Sequence, residues 1–323
     1  MRTALFALVL AAGVSPVAVG QDGGSTVASV PDYFPEALVG PTTGEPALPT
    51  PPPPSPIAIQ PAEGEQPVNG GAVHLSLGLD FSNAYYSRGL RQEDGGFLAQ
   101  PWATVGFDLV NNDGWTLQAY GGSWNSLHSE KTGASNPDET DAAWYESDAY
   151  FGVTATAGRW ELGAQYGWFT SPSSAFTTVE ELQFTASYDD EGALGGWTLG
   201  PGAMLVIETG DGTSDGMGKG AYVQLSVEPG CGCGAVEGLG FSFPVIAGFS
   251  ASDYYERAGG GDDFLGFVSV GAKAEYALPC GHRYGEWSCY VAANVLFLGD
   301  LAKEVNDGDG SALVVSAGVS MEY

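Results

Sequence analysis

Between residues 73 and 82 apolar and polar positions alternate without a break. Val73, Leu75, Leu77, Leu79 and Phe81 take turns with His74, Ser76, Gly78, Asp80 and Ser82. A period of two sends successive side chains to opposite faces of an extended strand, so one face is greasy and the other polar. The last segment repeats the pattern, with Leu313, Val315, Ala317, Val319, Met321 and Tyr323 against Ser316, Gly318, Ser320 and Glu322; Val314 is the lone exception. Between these ends ten further strands are read near residues 100–110, 114–124, 144–156, 160–169, 180–188, 197–208, 220–228, 240–250, 264–278 and 286–298. Each is about long enough to cross a bilayer at a tilt.

Alternation alone also fits a soluble β-sandwich, whose greasy faces meet in a core. Two further regularities favour a membrane barrel. Connections of a first kind fall at 111–114, 157–159, 189–196, 229–239 and 278–285, and generally longer ones, rich in Asp, Gly and Ser, at 83–95, 125–142, 170–178, 210–218, 251–263 and 300–310. Short turns on one rim and long loops on the other are the asymmetry of transmembrane barrels, with 229–239 an imperfect fit. Trp115, Trp160, Trp197 and Trp287 open strands on the short-turn side, and Tyr188, Tyr276 and Tyr323 close strands there. Seven rings at one edge are what an aromatic girdle at a membrane/water boundary requires.

The fold expected is therefore all-β: a single antiparallel transmembrane β-barrel of about twelve strands over residues 71–323. Residues 1–20 read as a signal peptide, with Arg2 before the apolar run Ala4 to Val14 and small residues Ala18-Val19-Gly20 before Gln21. Residues 21–70 lack periodicity and hold the proline run 51–54, which predicts a disordered, extended Pro-rich linker. No stretch after the leader reaches the roughly 18 apolar residues of a membrane helix.

The chain carries 10 Lys plus Arg against 39 Asp plus Glu, a net charge of −29, so nucleic acid would be repelled over most of its surface. On the polar faces the strands collect Asp80, Asp108, Glu146, Asp148, Glu161, Glu181, Gln183, Glu208, Glu228, Glu275 and Glu322, with few cations beyond His74 and Lys273. The lumen expected is acidic. If open, it favours cations; if plugged, the same carboxylates hydrogen-bond one another's neighbours inside it. A twelve-strand barrel allows a narrow pore without guaranteeing one. Arg88 and Arg91, where the first strand meets its long loop, are candidates to reach inward and pair with lumen carboxylates, an arrangement more often structural than substrate-binding.

The segments Leu77-Gly78-Leu79-Asp80, Tyr86-Ser87-Arg88-Gly89 with Gln92, Gly106-Phe107-Asp108, Gly114-Trp115 and Gly121-Gly122-Ser123-Trp124-Asn125 occur in that order. In them the chain resembles the bacterial porin family labelled TorF-like or Gcw-chp, over roughly its first three strands. The resemblance implies an outer-membrane barrel of pore function with no established substrate. The long proline-rich leader and the cysteine-bearing turns depart from that family's pattern.

Cys231, Cys233, Cys280 and Cys289 belong to an exported chain, so disulfides are the default expectation. Cys280 and Cys289 flank a turn, and a pairing that sets Tyr276 opposite Ala293 makes a bridge between them geometrically reasonable. Cys231 and Cys233 are left open between bonding to each other, to that pair or to another protein, a zinc site being disfavoured by their one-residue spacing. Asn306-Asp307-Gly308-Asp309-Gly310 and Asp262-Asp263 cluster oxygens without the full calcium-loop spacing, so solvated acidic loops are expected and no metal or cofactor.

The expectation is thus a passive outer-membrane pore for small solutes or ions, weakly cation-preferring, facing outer-membrane lipid and handled by the barrel-assembly machinery through the strand ending in Tyr323, with the linker in the periplasm. An alternative is a barrel anchoring a periplasmic or surface partner. A hydrolase is the remaining class. Of His74, His128 and His282 only His128, read as a loop residue near Ser126 and Glu130, suits it, and no triad or dyad spacing supports an enzyme.

Overall fold

The computed structural model describes residues 72–112, 114–130, 143–257, 259–279 and 285–323. The expected signal peptide and linker, with Cys280 and His282, lie outside them. The wall strands are β1 (Val73–Ser82), β4 (Leu98–Asn112), β5 (Trp115–His128), β6 (Trp144–Ala157), β7 (Trp160–Thr170), β8 (Val179–Tyr188), β9 (Gly202–Glu208), β10 (Ala221–Val227), β12 (Leu239–Ser242), β13 (Val245–Ser252), β14 (Leu265–Leu278), β15 (Glu286–Leu298) and β16 (Ser311–Glu322). Each pairs antiparallel with its neighbours, β1 with β16 and β14 with β15, and the ring closes. With β12 and β13 as one broken stave, the barrel has twelve.

The break falls at Phe243-Pro244, inside the single strand expected at 240–250. A proline has no N–H for the ladder, so the stave is interrupted there, although the Pro244 carbonyl still accepts from Gly271. Similarly, the strand expected from Trp197 joins the wall only at Gly202. Gly200, at φ +56°, and Pro201 turn the chain first. Three elements were not foreseen: the two-stranded hairpin β2 (Tyr85–Ser87) and β3 (Leu90–Glu93), the short β11 (Gly230–Gly232), and the single-turn-scale helix α1 (Asp300–Val305).

Closure leaves the wall without an open edge, which is what lets a β-structure sit in hydrocarbon. The outer surface is apolar in the middle of the staves: Phe107, Phe151, Leu225, Val291 and Leu313 are each at least 50% exposed. Such a continuous belt on a soluble protein would drive association. Here it is the lipid-facing surface of a transmembrane barrel. At the short-turn rim Trp115, Trp160, Trp197 and Tyr323 are exposed, with Tyr188, Tyr276 and Trp287 half-buried. Trp160 packs its ring 4.9 Å from that of Tyr188, its register partner.

The packed core is inside the barrel, towards the long-loop rim. One cluster joins Val206, Tyr222, Tyr254, Tyr255, Phe267 and Leu301, and another joins Tyr85, Leu98, Trp124, Tyr145 and Phe176. Inward-facing glycines make room for rings laid along the wall. A Cβ on Gly78 would stand 2.5 Å from the Trp102 indole, whose Nε1 donates to Asp80 at 2.9 Å.

Candidate functional site: the lumen

The hairpin β2–β3 leaves the wall after β1 and folds into the barrel instead of lying in an outer loop. Two residues, Arg88 and Gly89, link its strands, with Ser87 paired to Leu90. Both have positive φ, 45° and 90°, as a tight two-residue hairpin of primed type demands. Glycine meets that demand freely, whereas arginine adopts it against a steric cost. What offsets the cost is the ion pair Arg88 makes. Its guanidinium donates two parallel bonds to Glu181 on β8, at 2.5 and 2.7 Å, and a third to the Tyr254 hydroxyl. It lies 5.1 Å from the ring centre of Tyr222 and 5.4 Å from that of Tyr254. Neither partner of the ion pair is exposed at all.

Side chains from the walls and loops seat the rest of the hairpin. Tyr85 donates to Glu146 at 2.9 Å, and Tyr145 donates to Gln92 at 2.6 Å. Tyr255 donates to the Arg88 carbonyl at 2.8 Å. Asn306 donates to the Gly89 carbonyl at 2.8 Å and accepts from the Arg91 amide at 2.9 Å. Glu146, Asp148, Glu181 and Glu208 are all buried here. Glu208 faces Glu181 across the β8–β9 ladder and accepts the amides of Ser214 and Gly220. The long-loop half of the lumen is thus filled, and the carboxylates placed there by sequence are brought together around the hairpin rather than along open water.

The other half is different. His74, Asp108, Asn111, Thr116, Gln118, Thr154, Thr156 and Glu161 line a cavity of about 290 Å³ towards the short-turn rim. Asp108 is held by His74 at 3.0 Å and Gln118 at 3.3 Å. Opposite wall positions carry Asp80, which accepts from Trp102 and Tyr290, and Glu275, bonded by Ser288 and 2.7 Å from Lys273. Every residue lining this vestibule is polar. Chemically it can solvate and hold a small ion or a hydrogen-bonding solute.

The loops above the hairpin are clasped by carboxylates. Asp215 accepts the amides of Met217 at 2.8 Å and Glu256 at 2.9 Å. Burial raises its carboxyl to about 6, from 3.8. A raised folded-state pKa means the folded loop binds the proton more tightly, so its contribution to stability is present below pH 3.8 and lost as pH rises through about 6. Amide exchange at Met217 and Glu256, corrected for intrinsic rates, should therefore be slower at about pH 5 than at about pH 7.5. Asp215→Asn should remove that difference.

Several sequence expectations are altered. Arg91 does not reach the lumen; it pairs with Asp94 at 3.0 Å and with Asp307 among the loops. His128 is the last residue of β5, not a loop residue, and its ring is buried, stacked 4.7 Å from Tyr145. Its Nε2 lies 2.7 Å from Ser126 Oγ and its Nδ1 3.9 Å from Glu93. That juxtaposition resembles a nucleophile and base, but Ser126 has no exposed surface, so no substrate reaches it in this conformation. Cys289 faces Tyr276, not the position four residues displaced that the proposed bridge required. Cys231, Cys233 and Cys289 are free thiols. The acidic loops brace themselves: Asp262 accepts from Ser250 and the amides of Asp253 and Tyr255, and Asp263 pairs with Arg257.

Sequence reasoning missed Tyr222, Tyr254 and Tyr255, and it named Gln92 and Ser126 without placing either inside the barrel. Tyr222 and Gln224 share the inward parity of β10, a usable signal. Tyr254 and Tyr255 sit in a connection, where no periodicity marks which way a ring turns.

No protein-family model matches the chain, and no curated protein does. Among solved structures it is similar to an outer membrane channel from Pseudomonas putida F1, at 8% identity, covering 78% of this chain and 96% of that one with a TM-score of 0.48. It is also similar to the KdgM porin, at 6% identity, 77% and 99% coverage and a TM-score of 0.41. The transport unit of the autotransporter AIDA-I from Escherichia coli matches at 12% identity, 83% and 94% coverage and a TM-score of 0.41.

Proposed function

We propose that this protein is an outer-membrane pore for passive passage of small solutes or ions, preferring cations. The observation that supports it most directly is the polar, carboxylate-bearing vestibule enclosed by a wall that is apolar on its outer face. Glu161 and Asp108 supply negative charge in a lumen whose low-dielectric wall concentrates its field. Wall carboxylates at that mouth raise the local concentration of cations and repel anions.

The same reading absorbs the family resemblance. The motif Tyr86-Ser87-Arg88-Gly89 with Gln92 forms the in-folded hairpin, so one of the five segments that carry the likeness to TorF-like porins shapes the lumen. The seven rim aromatics then anchor the barrel at one interface.

The test is single-channel recording of the refolded protein in a planar bilayer under a salt gradient. Cation-selective steps are expected. Asp108→Asn with Glu161→Gln should shift the reversal potential towards zero while leaving the fold intact. A reversal potential unchanged by both substitutions would remove these residues from ion selection, and anion-selective steps would reverse the assignment of preference.

A further inference from the structure

We infer that the hairpin of residues 85–93 is a gate, docked in the lumen by Arg88 on Glu181 and able to leave it as a unit; this rests on the pore reading above. Four observations carry it. First, β2 and β3 form a sheet of their own and share no ladder with the wall, so undocking breaks no strand pairing of the barrel. Secondly, the side-chain contacts that hold the turn come from the loops as well as the wall, from Tyr254, Tyr255 and Asn306 after α1 on one side and from Glu181 and the Tyr222 ring on the other. Movement of the long loops therefore bears directly on docking.

Thirdly, the docked interface is poorly satisfied. Among the described residues, Ser87 Oγ on the hairpin is buried without a hydrogen-bond partner, and Glu93 Oε2 on the hairpin faces His128 Nδ1 on the wall at 3.9 Å, beyond hydrogen-bonding range. A permanent plug gains by pairing such atoms, whereas these are rehydrated when the hairpin leaves. Fourthly, the exit from β3 carries Gly95 and Gly96, the latter at φ +68°, where the chain turns back into the wall. A Cβ on Gly96 would collide with Glu130, so the return is built for glycine.

Water and cations then pass only where Arg88 has let go. Release leaves Glu146, Asp148, Glu181 and Glu208 facing the opened lumen, extending the acidic lining from the vestibule to the long-loop rim. The gate and the cation preference are in this way two consequences of one set of carboxylates.

A cysteine lock tests it. A Cβ on Gly89 lies 3.0 Å from Phe267 Cβ, near the roughly 3.5–4.5 Å separation that a disulfide spans. In the full chain with Cys231, Cys233, Cys280 and Cys289 replaced by serine, Gly89→Cys and Phe267→Cys are introduced together, and folding is checked by the heat-dependent gel mobility of barrels. Currents are expected when the pair is reduced and silence when it is oxidised. Arg88→Gln, in the otherwise native chain, is expected to raise open probability at least tenfold. Equal currents in both redox states would overturn the gate and leave the pore standing. So would a barrel that conducts only after residues 85–93 are replaced by a short Gly-Ser linker, since the hairpin is then a fixed plug. Silence even in that linker variant overturns the pore itself, and the gate with it.

Discussion

Arginine in place of Phe151 is expected to destabilise the refolded barrel in lipid vesicles by about 2–4 kcal/mol, and arginine in place of Trp160 by no more than about 1 kcal/mol. Phe151 lies midway along β6, 55% exposed, whereas Trp160 opens β7 at the short-turn rim with its ring similarly exposed. Equal exposure with unequal cost is the signature of a depth-dependent solvent. A guanidinium at the rim snorkels to water; one at mid-stave has hydrocarbon on every side. Urea titrations in vesicles measure both. Equal costs at the two positions would mean that the belt does not face a bilayer.

The second large effect concerns the buried ion pair. Arg88→Met alone, or Glu181→Met alone, leaves a charge without its partner where neither side chain has exposed surface. Breaking a buried pair from one side costs about 3–5 kcal/mol. The loss falls on the hairpin before it reaches the wall, because the wall's ladders do not include β2 or β3. Amide exchange across residues 85–93 should therefore accelerate by about two to four orders of magnitude in either single variant, while exchange in β5 to β8 changes little. The double variant should recover much of the protection, since two apolar side chains at that site leave no orphaned charge. Strictly additive losses in the double variant would show that the two groups do not depend on each other.

The wall was largely legible in the sequence. The run Val73 to Ser82 reads as period two because one of its faces meets lipid and the other meets polar groups, and the structure places it as a stave paired to β4 and β16. The boundaries of β6 and β7 fall within about a residue of those expected, because a short turn and a tryptophan mark them. Breaks were harder to see. Pro244 and Pro201 interrupt staves in segments whose hydrophobic pattern continues past them, so periodicity outlasts the ladder.

The site divides differently. Asp80, Asp108, Glu146, Asp148, Glu161, Glu181, Glu208 and Glu275 stand on the strands at the inward parity that sequence assigned, since parity is fixed once the apolar face is known. The partner of Arg88 was not fixed in this way. Glu181 is 93 residues away, and which carboxylate an arginine finds depends on the closing of the ring. Nor does any local pattern reveal that Tyr85 to Glu93 turns inward. Its alternation is too short to carry a face, and an exposed loop and a docked hairpin can share it.

What the sequence determined by itself is therefore the barrel: strand number, facing and the acidity of the interior, all of which follow from a two-residue period read against an apolar solvent. What only the tertiary structure decided is how that interior is filled. Inside a closed ring, residues from distant staves and loops come within hydrogen-bonding range of one short hairpin, and that proximity is a property of closure, which no stretch of chain carries alone.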